Sequence, residues 1–168
     1  MDKKRHLRAI AKALRKTLDI KLISRKLCVQ LRDMDFYQTA NHVMLFYPLK
    51  YEIDTQELLN DNKNFYFPKI DDKNILVCPY TSEFTISEYN IKEPCSKPVN
   101  PEILDLIIVP ALMTDENNFR LGYGGGFYDR FLQKYNNITT VTLIPAELIT
   151  AKLPHNKFDI PVKHVISI

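Results

Sequence analysis

One stretch of the chain, FRLGYGGGFYDRFL at residues 119–132, carries residue types suited to binding an anion. It holds all four glycines of the 168-residue sequence: Gly122, Gly124, Gly125 and Gly126. Backbone N–H groups without neighbouring side chains can approach an anion closely, and the dipole of a following helix adds to the attraction. The stretch therefore predicts a phosphate-binding loop. The alternative is a tight turn that requires positive φ angles.

The spacing of the glycines differs from that of two common phosphate-binding loops. Both the GxGxxG pattern of dinucleotide-binding proteins and the GxxxxGK[ST] pattern of P-loops would require glycine at the position of Phe127. The sequence therefore predicts a phosphate-binding loop of another kind.

Charged side chains flank the glycines. Arg120 and Arg130 stand on either side of the loop, and guanidinium groups suit phosphate oxygens. Asp129 stands beside them, and a carboxylate near phosphates is explained by Mg²⁺, which takes one or two carboxylates together with phosphate oxygens. Asp129 is thus a candidate magnesium ligand. The alternatives are a carboxylate favoured by the helix dipole or an ion pair with Arg130.

Positive charge is concentrated at the N-terminus. The net charge of the chain is only +3, yet residues 1–32 hold eleven Lys and Arg against two Asp. Such asymmetry predicts contact with a polyanion, which could be nucleic acid, a membrane surface or the phosphate chain of a nucleotide. A solvated helix face is the alternative.

Composition also predicts the setting of the protein. Charges interrupt the N-terminal segment too often for a signal peptide or a membrane span. Cys28, Cys78 and Cys95 are odd in number and form no CxxC pair, so neither a disulfide framework nor a zinc site is indicated. We expect one domain over residues 1–168, in the cytoplasm.

The elements that must position these residues begin with helices. Four apolar residues recur at helical spacing and predict a helix over residues 2–18: Leu7, Ile10, Leu14 and Leu18. Another face of this helix is basic: Lys4, Arg8, Lys12 and Arg15. Three further helices are predicted: residues 25–34 capped by Ser24, a short helix from an Asp54–Glu57 capping box to Leu59, and residues 127–135.

Apolar runs between the helices predict strands. These are residues 42–48, 64–70, 74–80, 105–110, 139–145 and 164–168, with an irregular loop at 81–101. The run at 105–110 is continuous, as in a central parallel strand with both faces covered, and 164–168 suits an edge strand. Strands interleaved with helices predict a layered α/β fold with a mostly parallel sheet.

Four segments together resemble one family. RLGYGGGFYDR, preceded by DLIIVPAL and Asp115, is similar to the signature of the 5-formyltetrahydrofolate cyclo-ligases, also called 5,10-methenyltetrahydrofolate synthetases. KRHLR at 4–8 resembles the family's basic motif for ATP phosphates, and YPLKYEIDT at 47–55 resembles its folate-contacting segment. HNKFDIPVKHVI at 155–166 resembles the region with a second metal-binding aspartate. The likeness spans the whole chain.

The resemblance implies a fold and a reaction. The fold is a three-layer α/β/α sandwich with a mostly parallel central sheet, similar to the CoA-transferase-like fold. The reaction is the ATP- and Mg²⁺-dependent cyclisation of 5-formyltetrahydrofolate to 5,10-methenyltetrahydrofolate, with release of ADP and phosphate. The formyl oxygen would attack the γ-phosphate, and N10 would then close the ring on the imidate phosphate. Positioning and charge neutralisation dominate phosphoryl transfer, so no side-chain nucleophile is expected.

The resemblance also implies site residues in four groups. The ATP-binding residues would be Lys4, Arg5, His6, Leu7, Arg8, Arg120, Leu121, Gly122, Tyr123, Gly124, Gly125, Gly126, Phe127 and Tyr128. The folate-binding residues would be Tyr47, Glu52, Gly124, Gly125, Gly126, Phe127 and Tyr128. The magnesium ligands would be Asp129 and Asp159, and the catalytic residues Lys4, Arg120 and Asp129.

Two other functions are compatible with the residues alone. Another nucleotide-dependent kinase or ligase of small molecules could use the same glycine loop, and a nucleic-acid-binding protein could use the basic helix. The expected partners are a reduced folate and ATP, without nucleic acid or membrane, and the expected state is a monomer.

Overall fold

The computed structural model describes residues 2–168, which form four α-helices and eleven strands. The helices are α1 (Lys3–Arg15), α2 (Ile20–Arg32), α3 (Asp35–Thr39) and α4 (Phe127–Lys134). The strands are β1 (His42–Met44), β2 (Asn64–Asp71), β3 (Asn74–Pro79), β4 (Phe84–Ile86), β5 (Lys92–Pro94), β6 (Leu106–Ile108), β7 (Met113–Asp115), β8 (Arg120–Leu121), β9 (Thr139–Ile144), β10 (Ile149–Thr150) and β11 (His164–Ser167). In the part of the chain described, no helix is both long enough and apolar enough to span a bilayer.

Six strands form the central sheet in the order β11-β9-β6-β1-β2-β3. All neighbours in it are parallel except β2 and β3, which form an antiparallel hairpin. In the centre of the sheet, Val43 of β1 pairs with Phe65 on one side and Leu106 on the other. This arrangement confirms the predicted mostly parallel sheet, with β6 central and β11 at the edge.

Helices cover both faces of the sheet. Successive strand residues point to opposite faces, so each strand contributes to two cores. On one face Leu27 and Leu31 of α2 pack with alternate strand residues such as Val43. On the other face Phe131 of α4 packs with the intervening residues, such as Met44. The predicted three layers are therefore present.

A smaller sheet, in the order β10-β7-β8, lies beside the central one and was not predicted. Its strands have two or three residues each, which is too short for a period of two to be recognised in the sequence. Ala11 of α1 packs with Leu112, Leu121 and Leu148 in the core of this sheet. The smaller sheet thus fixes the basic helix to the chain segments around the glycine loop.

The start of α2 differs from its predicted start. The sequence predicted a helix over 25–34 capped by Ser24, but α2 begins at Ile20, and the carboxylate of Asp19 accepts the N–H of Leu22 at 3.0 Å. Ser24 is buried inside the helix, where its hydroxyl accepts the N–H of Asp54 at 2.9 Å. The predicted cap is therefore wrong, because Ser24 fastens a distant loop instead. The first helix also ends earlier than predicted, at Arg15 rather than residue 18.

The predicted capping box at Asp54 and Glu57 is also wrong. The carboxylate of Asp54 accepts the N–H of Gln56 at 2.9 Å, and the element that follows is a 3-10 helix, Gln56–Asn60. Glu57 accepts instead from the guanidinium of Arg32 at 2.8 Å. An ion pair with α2 thus takes the side chain that a capping box would require.

The remaining predicted elements agree with the structure within a few residues, apart from the loop at 81–101. That loop contains the hairpin of β4 and β5, and Tyr89 between these strands contacts Phe127 at the end of the glycine loop. The hairpin was not predicted, because the segment contains three prolines and proline is disfavoured in strands.

Candidate active site

A cavity of about 530 Å³ opens at the carboxyl ends of the parallel strands. In open α/β sheets this edge is the usual location of ligands. The walls of the cavity come from α1, the loop after β1, both hairpins, the glycine loop with the start of α4, and the segment before β11. Chain segments that lie far apart in the sequence therefore meet at one site.

The glycine loop connects β8 to α4 and lines the cavity. Gly124 has φ = 110° and Gly126, the N-cap of α4, has φ = 68°, so both adopt conformations that L side chains rarely adopt. A Cβ atom on Gly125 would lie 2.5 Å from the ring of Phe127. The glycines thus serve the tight turn and also leave the loop backbone free of side chains.

Arg8 fixes the loop from the side of α1. Its Nε donates to the carbonyl of Gly122 at 2.8 Å, and its guanidinium lies against Gly124. Lys4 stands one turn earlier on the same face of the helix and also lines the cavity. The spacing of four residues therefore brings both cations to the glycine loop.

Arg120 and Asp129 form an ion pair in the wall of the cavity. The side chain of Arg120 is only 4% exposed, and its Nη2 lies 3.0 Å from Oδ1 of Asp129. Burial lowers the pKa of Arg120, while the charges of Asp129 and Asp159 oppose that effect. Among the described residues Nε of Arg120 has no hydrogen-bond partner. The site therefore holds a buried cation with an unused donor.

Asp129 forms an ion pair, but with Arg120 and not with Arg130. The sequence suggested Arg130, but that guanidinium donates to the carbonyls of Lys73 and Gly125 instead. Asp129 also accepts the N–H of Ile160 at 3.1 Å through the same Oδ1. One carboxylate oxygen thus holds the start of α4 against both Arg120 and the segment before β11.

Asp159 lies opposite and pairs with Lys4. Nζ of Lys4 lies 2.8 and 2.7 Å from the two carboxylate oxygens, and the N–H of Asn156 donates to one of them at 2.7 Å. Burial would raise the pKa of Asp159, but the hydrogen bonds from Lys4 and Asn156 outweigh it, and the pKa lies below its usual value. Asp159 is thus an ionised carboxylate that is already neutralised by a lysine.

The other side of the cavity carries Tyr47 and Glu52. Glu52 is only 6% exposed, and its carboxylate accepts the N–H of Leu49 at 2.6 Å. Tyr47 stacks on Phe67 of β2, with ring centroids 4.0 Å apart. The result is a buried acceptor next to aromatic surface, as a flat ring with N–H donors would require.

Tyr128 stands between these two sides. Its hydroxyl is buried and has no hydrogen-bond partner among the described residues. Burial raises its pKa, the charge of Arg120 partly opposes this, and the charge of Glu52 adds to it. The hydroxyl therefore remains protonated near neutral pH and can donate to a ligand.

Three residues of the predicted ATP motif do not reach the cavity. Arg5 and His6 are exposed on α1, and Leu7 packs into the core of the smaller sheet. All the other predicted site residues line the cavity.

The β4–β5 hairpin forms part of the cavity wall, which the sequence did not indicate. Tyr89, Ile91 and Glu93 line the cavity, and the buried carboxylate of Glu93 accepts the N–H of Ile70 at 2.9 Å. Tyr89 also meets Phe127 of the glycine loop edge to face, at 5.8 Å between ring centroids. No periodic pattern marked this segment, so the sequence offered no signal for these residues.

The two carboxylates predicted to bind Mg²⁺ differ in how well their surroundings suit the ion. Within residues 2–168, no group of three or more His, Cys, Asp or Glu side chains is placed to hold a metal by itself. Magnesium commonly takes one or two carboxylates and completes its shell with phosphate oxygens and water. Asp129 fits this use, since only its Oδ1 accepts hydrogen bonds from the described residues. Both oxygens of Asp159 are engaged by Lys4, so Asp159 fits less well.

Comparisons with known proteins identify the family of the chain. A model of the 5-formyltetrahydrofolate cyclo-ligase family matches residues 1–167. A 5-formyltetrahydrofolate cyclo-ligase of Escherichia coli strain K12 is 34% identical over an alignment of 142 residues, and the match covers 76% of this chain and 78% of the relative. A probable 5-formyltetrahydrofolate cyclo-ligase of Schizosaccharomyces pombe is 32% identical over 153 residues, covering 80% of this chain and 74% of the relative.

Solved structures show the same fold. The 5,10-methenyltetrahydrofolate synthetase of Aquifex aeolicus superposes with a TM-score of 0.85 at 28% identity, covering 98% of this chain and 89% of that one. The corresponding protein of Mycoplasma pneumoniae, at 18% identity, gives a TM-score of 0.79 and supports the fold alone. From the family match and the E. coli relative, the chain belongs to the 5-formyltetrahydrofolate cyclo-ligase family of enzymes.

Proposed function

We propose that this enzyme converts 5-formyltetrahydrofolate and ATP into 5,10-methenyltetrahydrofolate, ADP and phosphate, with Mg²⁺ as the cofactor. The observation that carries the proposal is the single cavity that joins two unlike sets of groups. One set is a glycine loop with the cations Arg8 and Arg120. The other is a buried acceptor, Glu52, beside aromatic surface. Family membership supports the overall reaction, and the geometry supports the residue roles below.

The glycine loop would bind the triphosphate. The N–H groups at the start of α4 add their partial positive charge to that of Arg8 and Arg120. Because Arg120 is buried and Nε has no partner among the described residues, a phosphate oxygen would satisfy a donor that is now unused. Lys4, held by Asp159, stands at the same end of the cavity for the terminal phosphate.

Asp129 would hold Mg²⁺ through Oδ2, with phosphate oxygens and water completing the shell. Asp159 would join it only if Lys4 turned towards the phosphates. When bound, the ion would neutralise charge on the phosphates. Asp129 meanwhile keeps Arg120 fixed through Oδ1, at 3.0 Å.

The folate would lie against Tyr47 and Glu52. Ionised carboxylates accept paired hydrogen bonds well, and the pterin ring offers an amino group next to a ring N–H. Glu52 is held in place by the N–H of Leu49, and Tyr47 by its stacking on Phe67. These contacts would direct the formyl group of the substrate towards the glycine loop.

The reaction needs no side-chain nucleophile. The formyl oxygen attacks the γ-phosphorus of ATP, and the bond to the bridging oxygen of ADP breaks. N10 then attacks the formyl carbon, the C–O bond breaks, and phosphate leaves with the former formyl oxygen. Loss of the N10 proton gives the methenyl cation. The protein would accelerate both steps by positioning the groups and by offsetting charge near Arg120 and Tyr128.

We further propose that the enzyme is a single-domain monomer that acts in the cytoplasm without nucleic acid or membrane. The structure offers one argument against nucleic acid. Of the four basic residues that share a face of α1, Lys4 and Arg8 turn into the cavity and Arg15 is buried. The positive charge that remains at the surface is therefore smaller than the sequence suggests.

The proposed function is tested by an absorbance assay. Purified protein is mixed with 5-formyltetrahydrofolate, ATP and Mg²⁺, and the near-ultraviolet band of the methenyl product is followed, with ATP or Mg²⁺ omitted in matched controls. Product should form only in the complete mixture. Absence of product from folded protein would contradict the proposal and favour another ATP-dependent reaction, tested by ADP release with other acceptors.

A further inference from the structure

Arg15, at the end of α1, is a buried cation with no part in the site described so far. Its relative exposure is 2%, whereas its neighbours in the sequence, Lys12 and Lys16, are exposed. Burying a guanidinium costs free energy unless it is well bonded, and burial lowers its pKa, an effect that the nearby groups of Tyr123 and Glu52 oppose. A buried arginine near two residues that line the cavity, Tyr123 and Glu52, therefore needs a specific explanation.

The guanidinium of Arg15 bonds to two separate chain segments. Nη1 donates to the carbonyl of Tyr51 at 3.0 Å, and Nη2 donates to the carbonyls of Ala111 and Leu112. The first segment leads directly into Glu52, and the second follows Pro110, which lines the cavity beside the end of β6. Arg15 thus joins α1 to the loop after β1 and to the segment between β6 and β7.

The backbone of Tyr51 requires such support. Its φ angle is 68°, in the left-handed region that a residue with a large side chain rarely adopts, and such a conformation persists only where the surrounding structure holds it. The next residue, Glu52, closes a turn by donating its N–H to the carbonyl of Leu49 at 3.0 Å. The hydrogen bond from Arg15 to Tyr51 holds the turn at its strained point.

We infer that Arg15 is a positioning residue for the folate half of the site: it fixes the turn at Leu49–Glu52, and thereby the carboxylate of Glu52, to α1. This inference rests on the proposed function, because it assigns Glu52 to the folate. The planar guanidinium can reach two carbonyl groups in different directions at a fixed geometry, which a lysine cannot do. Lys4 and Arg8 stand on the same helix, so α1 links the nucleotide half to the folate half.

The test compares Arg15→Lys and Arg15→Met with the exposed control Lys16→Met. In each protein the KM values for 5-formyltetrahydrofolate and for ATP are measured separately, at a temperature well below the melting transition. We expect the folate KM to rise at least 10-fold in Arg15→Met and less in Arg15→Lys, with the ATP KM changed less than 3-fold. Lys16→Met should match the wild type. Equal changes in both KM values, or none, in folded protein would overturn the inference.

Hydrogen exchange gives a second readout that does not depend on turnover. The N–H of Glu52 is protected by its bond to Leu49, so peptides covering 49–53 should exchange faster in Arg15→Lys, while peptides from α2 keep their protection. Unchanged exchange at 49–53 would refute the positioning role even if the wild type were inactive. A wild type without cyclo-ligase activity, together with faster exchange in the variant, would refute the proposed function and leave the anchor in place. Arg15→Lys serves alone if Arg15→Met does not fold.

Discussion

Arg120 is the residue on which the proposed phosphate site depends most. It is buried and paired with Asp129, and its Nε has no hydrogen-bond partner within residues 2–168. A buried charge with one partner is stable only while that partner remains, so the ion pair and the ligand site are coupled. The sequence identified both residues, with magnesium binding as the predicted role of Asp129. It offered an ion pair only as an alternative and with Arg130, because a sequence does not show which distant residues are neighbours in space.

Asp129→Asn should therefore lower both turnover and stability. Loss of the carboxylate leaves Arg120 as an uncompensated buried charge, which lowers the free energy of unfolding by about 3 kcal/mol. Turnover with saturating substrates should fall by about 100-fold, as when an electrostatic group is removed from a transition-state site. Urea unfolding and the absorbance assay measure the two effects. The exposed Asp33 provides the control Asp33→Asn; wild-type turnover in Asp129→Asn would contradict the role.

Gly125→Val should impair binding of both substrates. The added Cβ would lie 2.5 Å from the ring of Phe127, which lines the cavity and meets Tyr89. Displacing this ring costs about 1–3 kcal/mol by overpacking. If about 1.4 kcal/mol of it is lost from substrate binding, each KM rises about 10-fold. Steady-state kinetics with each substrate varied in turn would show it. Unchanged KM values would contradict this prediction, because they would mean that the Phe127 ring can move away from the glycine loop without affecting binding.

At the scale of elements, Asp115 connects the two segments that carry the site. Its carboxylate is buried and accepts three backbone N–H groups: those of Asn117 and Phe119 at 3.0 Å, and that of Leu153 at 2.9 Å. The first two belong to the turn that leads to Arg120, and the third to the segment that leads to Asp159. One side chain therefore links the chain segments that carry Arg120 and Asp159.

Asp115→Asn should destabilise the protein markedly, although the two side chains have nearly the same size and shape. The amide can replace one oxygen, but its NH₂ group would face an N–H donor, so at least one hydrogen bond to a charged group is lost, at about 2 kcal/mol. The matched control is Thr114→Val, because the buried hydroxyl of Thr114 has no partner among the described residues. Urea unfolding should show a loss for Asp115→Asn and little or none for Thr114→Val. Equal stability of the two variants would contradict the role of Asp115.

The carboxylate of Asp61, directly after the 3-10 helix Gln56–Asn60, should make the stability of the protein depend on pH. Burial would raise the pKa of Asp61, but hydrogen bonds from Arg32 and Tyr37 lower it below its usual value. The resulting stabilisation is complete above the unfolded pKa of about 4 and is lost as the pH falls through the lower folded pKa. Asp61→Asn should therefore cost stability at pH 6 and progressively less below pH 4.

Unfolding curves of wild type and Asp61→Asn between about pH 2.5 and 7 measure this difference, which should follow the titration of a carboxyl group. The exposed Asp33→Asn is the control and should give a nearly constant difference. A gap between wild type and Asp61→Asn that stays the same at low pH would show that the ion pair contributes nothing.

The elements with strong periodicity were predictable, and those held by distant contacts were not. Residues 105–110 and 139–145 gave central strands because their apolar runs are continuous, and α1 followed from its regular apolar spacing. The cap at Ser24 and the box at Asp54 failed because each side chain bonds to a segment that the sequence does not place next to it. The hairpin of β4 and β5 left no periodic signal at all.

At the scale of the whole molecule, the fold brings two chemically different surfaces to one edge of a sheet. The proposed phosphate side comes from α1, β8 and α4, and the proposed folate side comes from the loop after β1 and the hairpins. The sequence named most of the phosphate side, because glycines and charges are informative by type. For the folate it named Tyr47, Glu52 and residues 124–128, but not the residues of the hairpins, because apolar and aromatic walls look like core in a sequence.

The fate of the formyl oxygen distinguishes the proposed phosphoryl transfer from other routes to the same product. The substrate is prepared with ¹⁸O in the formyl group and converted by the wild-type enzyme with ATP and Mg²⁺, and the released phosphate is analysed by mass spectrometry. Transfer of the γ-phosphoryl group to the formyl oxygen predicts one ¹⁸O atom in each phosphate released. Methenyl product accompanied by unlabelled phosphate would contradict the proposed route, and failure to form any product would contradict the proposed function itself.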